Sequence, residues 1–121
     1  MTHNTSLSAA DLAQFTGSEH WYRHALTGVL YTDGAKYVAE TRGAYWLLDE
    51  IALAQRYEKR IRGQSFQVWT LAVRPDNVAT LFCGDGNGNT VFQKSIEYTD
   101  FPPPGVTLYC SENTMYLPSE Y

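Results

Sequence analysis

The stretch that decides the fold is "AYWLLDEIALAQRYEKRIR", residues 44–62, the longest periodic segment of this 121-residue chain. Placed at about 100° per residue, its apolar side chains collect on one face of a helix and most of its charged side chains on the other. Gly63 follows, at a position where a left-handed cap commonly ends a helix. The sequence therefore predicts one long amphipathic helix. Its predicted apolar face consists of Trp46, Leu47, Ile51, Leu53, Ala54, Tyr57 and Ile61.

On the C-terminal side of this helix, the sequence has the composition and alternation of β-strands. The runs are "SFQVWTLAV", "VATLFC", "TVFQKSIEY", "VTLYC" and "TMYLP", each bounded by a turn rich in Gly, Pro, Asn or Asp. Short turns predict an antiparallel meander, because parallel neighbours need long crossover connections. The last two runs are predicted to form a hairpin around Ser111, Glu112 and Asn113.

The N-terminal side mixes the two periods. Residues 8–11, "SAAD", resemble a capping box and predict a short helix that ends near Gly17, and "EHWYRHAL" predicts a second short turn of helix. In "VLYTDGAKYVAE", two β-rich runs flank Asp33 and Gly34, a pair that indicates a two-residue hairpin. The predicted fold is α+β in a single domain, 1–121. An antiparallel sheet of about six strands, a hairpin and then a meander, has one face covered by the long helix, with short helices at the N-terminus.

Charge and hydropathy exclude several classes of protein. The net charge of −4 argues against general nucleic-acid binding, which needs a basic surface. No apolar run approaches the roughly 20 residues that span a bilayer, so no membrane partner is expected. The first residues lack the basic start and apolar core of a signal peptide. We therefore expect a cytoplasmic protein in which Cys83 and Cys110 are free thiols.

The stretch "CGDGNGNT" resembles the start of a calcium-binding loop. Asp85, Asn87 and Asn89 have the alternate spacing of the first three ligand positions. However, the glycine that such a loop needs at position six is Thr90, and the carboxylate that it needs at position twelve is Ile96. Glycine and asparagine also tolerate positive φ, as tight turns require. The sequence therefore predicts a hairpin turn and no metal site.

Three residues are candidates for catalysis. Glu50 falls within the apolar arc of the predicted helix, where a carboxylate must be hydrogen-bonded or neutral. Burial raises the pKa of a carboxylate, as in general acids, but the simpler hypothesis is a structural Glu50 that is partly buried and held by the sheet, through a tyrosine or tryptophan side chain or a backbone amide. His20 and His24 stand four apart, the spacing of helical metal ligands, yet zinc needs at least a third ligand. Two surface histidines are the simpler interpretation.

Candidate binding residues are aromatic or basic. Trp21 and Tyr22 lie between the two histidines, and Trp46 begins the apolar face of the helix. Arg56 and Arg60 belong to "RYEKRIR", a local basic edge that could meet an acidic partner or a phosphate, although such a run is more often a solvated helix end. Phosphate-binding loops and dinucleotide fingerprints do not occur, so no cofactor is implied.

The order of the blocks "DLAQFTGSEHWYRHAL", "YTDGAKYVAE", "GAYWLLDEIALAQ", "FQVW", "DGNGN", "DFPPPG" and "LPSEY" resembles a family of small bacterial proteins of unknown function. The resemblance covers residues 11–121 and implies one compact domain, often carried on plasmids or phage-like elements. It implies no catalytic residues.

Two functional hypotheses follow from these observations. The first is a non-enzymatic binding or regulatory module that acts through an aromatic surface on a protein partner. That partner could be a second copy of the chain, which would bury tyrosine-rich strands in a two-fold dimer. The second is a small hydrolase or transferase that uses Glu50 with His20 or His24. The lack of a nucleophile motif, a metal set or a cofactor loop favours the binding module.

Overall fold

The computed structural model describes residues 20–121, which contain three α-helices and seven β-strands. The helices are α1 (Asp33–Arg42), α2 (Tyr45–Tyr57) and α3 (Lys59–Arg62), and a 3₁₀ turn spans Pro118–Glu120. The strands are β1 (Trp21–Arg23), β2 (Leu30–Thr32), β3 (Phe66–Val73), β4 (Ala79–Gly84), β5 (Thr90–Ile96), β6 (Gly105–Ser111) and β7 (Thr114–Tyr116).

All seven strands form one sheet in the order β1-β2-β7-β6-β3-β4-β5. The α+β class is confirmed, and β3, β4 and β5 form the predicted antiparallel meander. The sheet is nevertheless mixed, because β2 and β7 pair in parallel. Most of the chain, including the three helices, connects these two strands, so the long connection that parallel pairing needs is available. A wholly antiparallel sheet of six strands is therefore a wrong prediction.

The core lies between the helices and one face of the sheet. Strand β3 shows the reason, since its residues alternate strictly between buried and half-buried along its whole length. The one polar side chain that β3 sends into this core, Gln67, exchanges two hydrogen bonds with Gln55 and accepts a third from the indole of Trp69. Apart from Thr32 of β2, the buried side chains of the strands are Gln67, Trp69, Leu71, Val73, Ala79, Leu81, Cys83, Val106, Leu108, Cys110 and Met115.

The predicted long helix is present as two pieces. Glu58 has extended backbone angles, φ −101° and ψ 112°, and separates α2 from α3. The buried face of α2 also differs from the predicted one, because Leu48 and Ala52 are buried, whereas Leu53 is 38% and Tyr57 is 78% exposed. Helix α2 packs against α1 as well as against the sheet. Because α2 contacts both α1 and the sheet, the side chains that it buries differ from those that packing against the sheet alone would bury.

The predicted hairpin at Asp33 and Gly34 is wrong, because both residues lie in the first turn of α1. Thr32 is the N-cap of this helix, and its hydroxyl accepts a hydrogen bond from the backbone N–H of Ala35 at 3.3 Å. Gly34 is buried against the C-terminal segment, where an added Cβ would lie 2.5 Å from Oε1 of Glu120. The glycine therefore permits a close approach and does not form a turn.

Two further predictions about local structure need correction. The segment "EHWYRHAL" contains strand β1, whose residues 21–23 pair with β2, and not a helical turn over that part. The left-handed helix cap occurs at Gly43, with φ 59°, at the end of α1, whereas Gly63 has φ −84°. The predicted short helix of residues 8–17 lies outside the described residues.

Candidate binding surface

On the side of the sheet that points away from the helices, strands β3, β4, β6 and β7 form an uncharged surface. Residues paired across neighbouring strands point to the same face, so the register of β3, β4, β6 and β7 defines its members. They are half-buried, and none of them is charged or belongs to the core cluster. We call this surface the open face. Its side chains are Phe66, Val68, Thr70, Ala72, Thr80, Phe82, Thr107, Tyr109, Ser111, Thr114 and Tyr116.

Aromatic rings concentrate at one end of the open face. The ring centroids of Phe66 and Tyr109 are 5.0 Å apart, and those of Tyr109 and Tyr121 are 5.7 Å apart. Tyr121 also stacks on Tyr116, with 7° between the ring planes. The hydroxyl of Tyr116 is 2.8 Å from Oγ of Ser111, so its polar tip is satisfied within the surface. The result is a connected aromatic cluster of the kind enriched in protein contact surfaces.

A cavity of about 650 Å³ opens beside this cluster. Trp21 of β1 is 57% exposed and lines it, together with Phe66, Tyr116 and Tyr121. Glu112 and Glu120 also line it. Among the binding residues predicted from the sequence, Trp21 is therefore the one that the structure places next to the aromatic cluster.

The C-terminal segment is held in place by the carboxylate of Glu120. Oε1 accepts hydrogen bonds from the hydroxyl of Thr32 at 2.7 Å and from the N–H of Leu117 at 2.8 Å, and Oε2 accepts one from the N–H of Gly34 at 3.1 Å. A carboxylate at the N-terminus of α1 also interacts favourably with the helix dipole. These bonds fix the position from which Tyr121 packs onto the open face.

Tyr22, a second predicted binding residue, is engaged within the protein. Its hydroxyl donates to Oδ1 of Asp33 at 3.0 Å, and its ring stacks on Tyr31 with centroids 5.5 Å apart. Nζ of Lys36 lies 5.0 Å from the ring centre. The hydrogen bond to Asp33 raises the pKa of the Tyr22 hydroxyl, since the donated proton is lost when the phenol ionises. These contacts anchor the start of β1 to α1.

The remaining predicted binding residues lie apart from the open face. Arg56 donates from Nε to the backbone oxygen of Thr27 at 3.0 Å and from Nη2 to Oδ1 of Asn113 at 3.1 Å, so it joins two turns. Trp46 is half-buried and packs on the core. Arg60 is exposed on α3. The structure therefore does not bring the five predicted binding residues together.

Glu50 lies on the helix side of β5. Its side chain is 32% exposed, and Oε2 accepts a hydrogen bond from Nζ of Lys94 at 2.7 Å. The partner predicted from the sequence, a tyrosine or tryptophan, is wrong. A cavity of about 400 Å³ lies beside the pair, and its lining includes Tyr57 and Phe92 but no histidine. Glu50 thus forms a partly solvated ion pair between α2 and the edge strand.

The two histidines bind other carboxylates. Nε2 of His24 lies 2.7 Å from Oδ1 of Asp49, and Nδ1 of His24 lies 2.9 Å from Oγ1 of Thr27. Nδ1 of His20 lies 3.6 Å from Oδ2 of Asp33. The helical spacing predicted for the histidines is absent because Trp21–Arg23 between them is a strand. Within residues 20–121, no group of three His, Cys, Asp or Glu side chains could hold a metal ion.

The loop that resembles a calcium site is the predicted hairpin turn. It connects β4 with β5, which pair in antiparallel fashion. Oδ1 of Asp85 accepts hydrogen bonds from the backbone N–H groups of Asn87 at 2.7 Å and Asn89 at 3.3 Å, and Oδ2 accepts one from the Asn89 amide at 2.9 Å. These bonds hold the pKa of the Asp85 carboxyl below its ordinary value. The carboxylate is therefore already used inside the loop.

Sequence reasoning finds only part of the aromatic cluster. The tyrosine-rich strands that a second copy could bury include Tyr109 and Tyr116, but nothing in the sequence marks Phe66 as more than a strand residue or Glu120 as more than part of a family block. The signal that could have found the cluster is present, because both β3 and β6 have apolar or aromatic residues at odd and even positions alike. Such strands bury one face and leave a second apolar face.

Comparison with known protein families places the chain in a family whose function is unknown. The model of that family, DUF6876, matches residues 6–121, and the chain belongs to it. Searches of curated proteins and of solved structures found no significant match. No helix within residues 20–121 has both the length and the apolar character that crossing a membrane requires.

Proposed function

We propose that the protein is a non-enzymatic binding module and that its open face binds a second copy of the chain. The observation that carries the proposal is the uncharged surface of β3, β4, β6 and β7, which ends in the cluster of Phe66, Tyr109, Tyr116 and Tyr121. Large apolar patches on a protein surface are commonly interaction sites.

The charge of the surface favours a copy of the chain as its partner. In a two-fold dimer the same patch meets itself, so any charge on the patch would face a like charge near the axis. The open face has no charged side chain on its four central strands, although the whole chain has a net charge of −4. Self-association therefore buries no unpaired charge. Self-association also brings the aromatic rings of one copy into contact with the same rings of the second copy, and aromatic pairs stabilise such interfaces.

The alternative enzyme, a hydrolase or transferase with Glu50 and a histidine, has less support. Glu50 binds Lys94, whereas His24 binds Asp49 and Thr27. The cavity beside Glu50 has no histidine in its lining. A general acid and a general base must both lie within hydrogen-bonding distance of the reacting atoms of one substrate. Glu50 and His24 instead bind different partners within the protein, which favours the binding module.

The proposed setting is the cytoplasm of a bacterium, with an origin on a mobile element. The compartment is supported by Cys83 and Cys110, which are both unpaired thiols, as is usual where glutathione keeps cysteines reduced. The mobile-element origin rests on the resemblance of the sequence blocks described above.

Light scattering coupled to size exclusion tests the dimer directly. We expect the wild-type protein to elute with twice the mass of the chain at high concentration and to dissociate on dilution. Tyr109→Lys should elute as a monomer at every concentration, because it places an ammonium group within the proposed interface. Circular dichroism should show that this variant retains the wild-type fold.

Tyr57→Lys is the matched control. Tyr57 is 78% exposed at the end of α2, on the helix side of the sheet, so the same substitution there should leave the dimer intact. A wild-type protein that stays monomeric at the highest concentration overturns the proposal and assigns the open face to a different occupant. Equal dissociation by both lysine variants would show that the interface is not the open face.

A further inference from the structure

Arg42, the last residue of α1, carries two buried nitrogen atoms that have no hydrogen-bond partner, Nε and Nη2. The N–H bonds of these two atoms point in the same direction from one edge of the planar guanidinium. That edge is the fork that receives the two oxygens of a carboxylate in a bidentate pair. The two unpartnered nitrogens can therefore donate together to the two oxygens of one carboxylate.

An unpartnered fork is energetically unfavourable. Leaving a buried donor without a hydrogen-bond partner costs free energy, and the cost is larger for a charged group. Asp100 is the acidic residue that lines the same cavity as Arg42. Its carboxylate accepts a hydrogen bond from the hydroxyl of Tyr98 at 3.0 Å. A ligand that satisfies both nitrogens would remove the cost, and this is a source of binding free energy.

Arg42 is also part of the lining of a cavity of about 310 Å³. This volume is at the lower limit of the roughly 300–1,000 Å³ of small-molecule sites. The walls combine the apolar side chains of Trp46 and Ile96 with the polar groups of Arg42, Tyr98, Thr99 and Asp100. The other lining residues are Gly43 and Phe101.

We propose that this cavity binds a small organic monocarboxylate, with its carboxylate on the Arg42 fork and an apolar ring against Trp46. The planar fork matches a carboxylate in geometry and charge. A second negative charge on the ligand would lie in the same small cavity as Asp100, so a monoanion binds in preference to a phosphate dianion. None of the lining residues belongs to the open face, so the site is distinct from the dimer surface.

Tyr98, which is 67% exposed, lines the same cavity. Both nitrogens are shielded from solvent, so binding requires the guanidinium to turn about its last torsions into the cavity that Arg42 already lines. Long exposed side chains such as Tyr98 change rotamer within nanoseconds.

Nuclear magnetic resonance tests the site with benzoate as the probe. The Nε–H resonance of Arg42 and the indole N–H resonance of Trp46 should shift together and saturate as benzoate is added. Benzamide has the same ring and size without the charge, and it should bind at least about tenfold more weakly, as a loss of 1.4 kcal/mol implies. Inorganic phosphate should also produce smaller shifts at equal concentration.

Two substitutions make the test specific to the fork. Arg42→Lys keeps the charge but removes the bidentate geometry, and it should weaken benzoate binding by about tenfold or more. Arg60→Lys, the same change at an exposed position of α3, should leave it unchanged. Asp100→Asn removes the like charge and should strengthen binding. Equal affinity of wild-type and Arg42→Lys protein for benzoate, or equal binding of benzoate and benzamide, overturns the proposal.

Discussion

The carboxylate of Glu120 accepts a hydrogen bond from the backbone N–H of Gly34 at 3.1 Å, across 86 positions of sequence. This contact joins the last turn of the chain to the first turn of α1. It is possible only because residue 34 has no side chain, since a Cβ there would lie 2.5 Å from Oε1 of Glu120 and 2.7 Å from Cδ1 of Leu117. This close approach explains why residue 34, in the first turn of α1, is glycine and not alanine, which has the higher helix propensity.

Gly34→Ala should destabilise the protein although it raises helix propensity. The added methyl group displaces Glu120 or Leu117, and we expect a loss of about 1–3 kcal/mol in the free energy of unfolding, as for other overpacked sites. Gly63→Ala is the matched control, because no atom lies within 4 Å of its Cβ position and its φ is −84°. Urea denaturation measures both. A neutral Gly34→Ala would mean that Glu120 moves away at no cost.

Asp49 should matter more for stability than its neighbour Glu50, although the helical periodicity places Glu50 within the apolar arc. Asp49→Leu removes the partner of His24, whose side chain is only 10% exposed, and should cost about 1–2 kcal/mol. Glu50→Leu breaks a partly solvated pair with Lys94 and should cost less than about 1 kcal/mol. Thermal melting of the two variants gives the order. A larger loss for Glu50→Leu would contradict the burial of His24.

Calcium should not bind to the loop of residues 84–89. The Asp85 carboxylate already accepts three hydrogen bonds within the loop, and an EF-loop carboxylate is missing at Ile96. Calorimetric titration should show no binding heat at micromolar concentration. A stoichiometric signal that disappears in Asp85→Ala would refute the assignment of this loop as a simple turn.

Asp85 should make the stability of the β4–β5 hairpin depend on pH. Hydrogen bonds from the Asn89 amide and from the Asn87 backbone lower the pKa of Asp85 in the folded protein below its ordinary 3.8. The ionised form is thus favoured by folding, so the contribution is fully present above 3.8 and is lost as the pH falls through the lower folded pKa. The stability difference between wild-type protein and Asp85→Ala should therefore shrink in acid. A difference that is constant down to that range would show that the hydrogen bonds are absent.

Both cysteines should resist alkylation in the native protein. Burial raises the pKa of the Cys83 and Cys110 thiols to about 12, and the thiolate is the reactive form. At slightly alkaline pH, mass spectrometry should find both thiols unmodified by iodoacetamide in buffer and modified in urea. Rapid labelling of one thiol in buffer would show that its strand opens locally.

Local patterns were sufficient where a residue's conformation depends on its sequence neighbours. The turn at Glu112 and Asn113 has positive φ at both residues, 50° and 61°, and it forms the predicted hairpin of β6 and β7. The loop from Gly84 to Asn89 is a hairpin for the same reason. The amphipathic period of α2 also follows from the chain itself, because this helix has one strongly apolar face.

The tertiary structure decided the features that depend on contacts distant in sequence. Asp33 and Gly34 have the composition of a hairpin, but the N-cap of Thr32 and the carboxylate of Glu120 stabilise a helix there, and Glu120 lies more than 80 residues away. The parallel pairing of β2 with β7 likewise has no local signal. The open face emerges only when β3, β4, β6 and β7 are aligned in register. The period of a single strand shows that it has two faces, but only its neighbours determine which of those faces the helices cover.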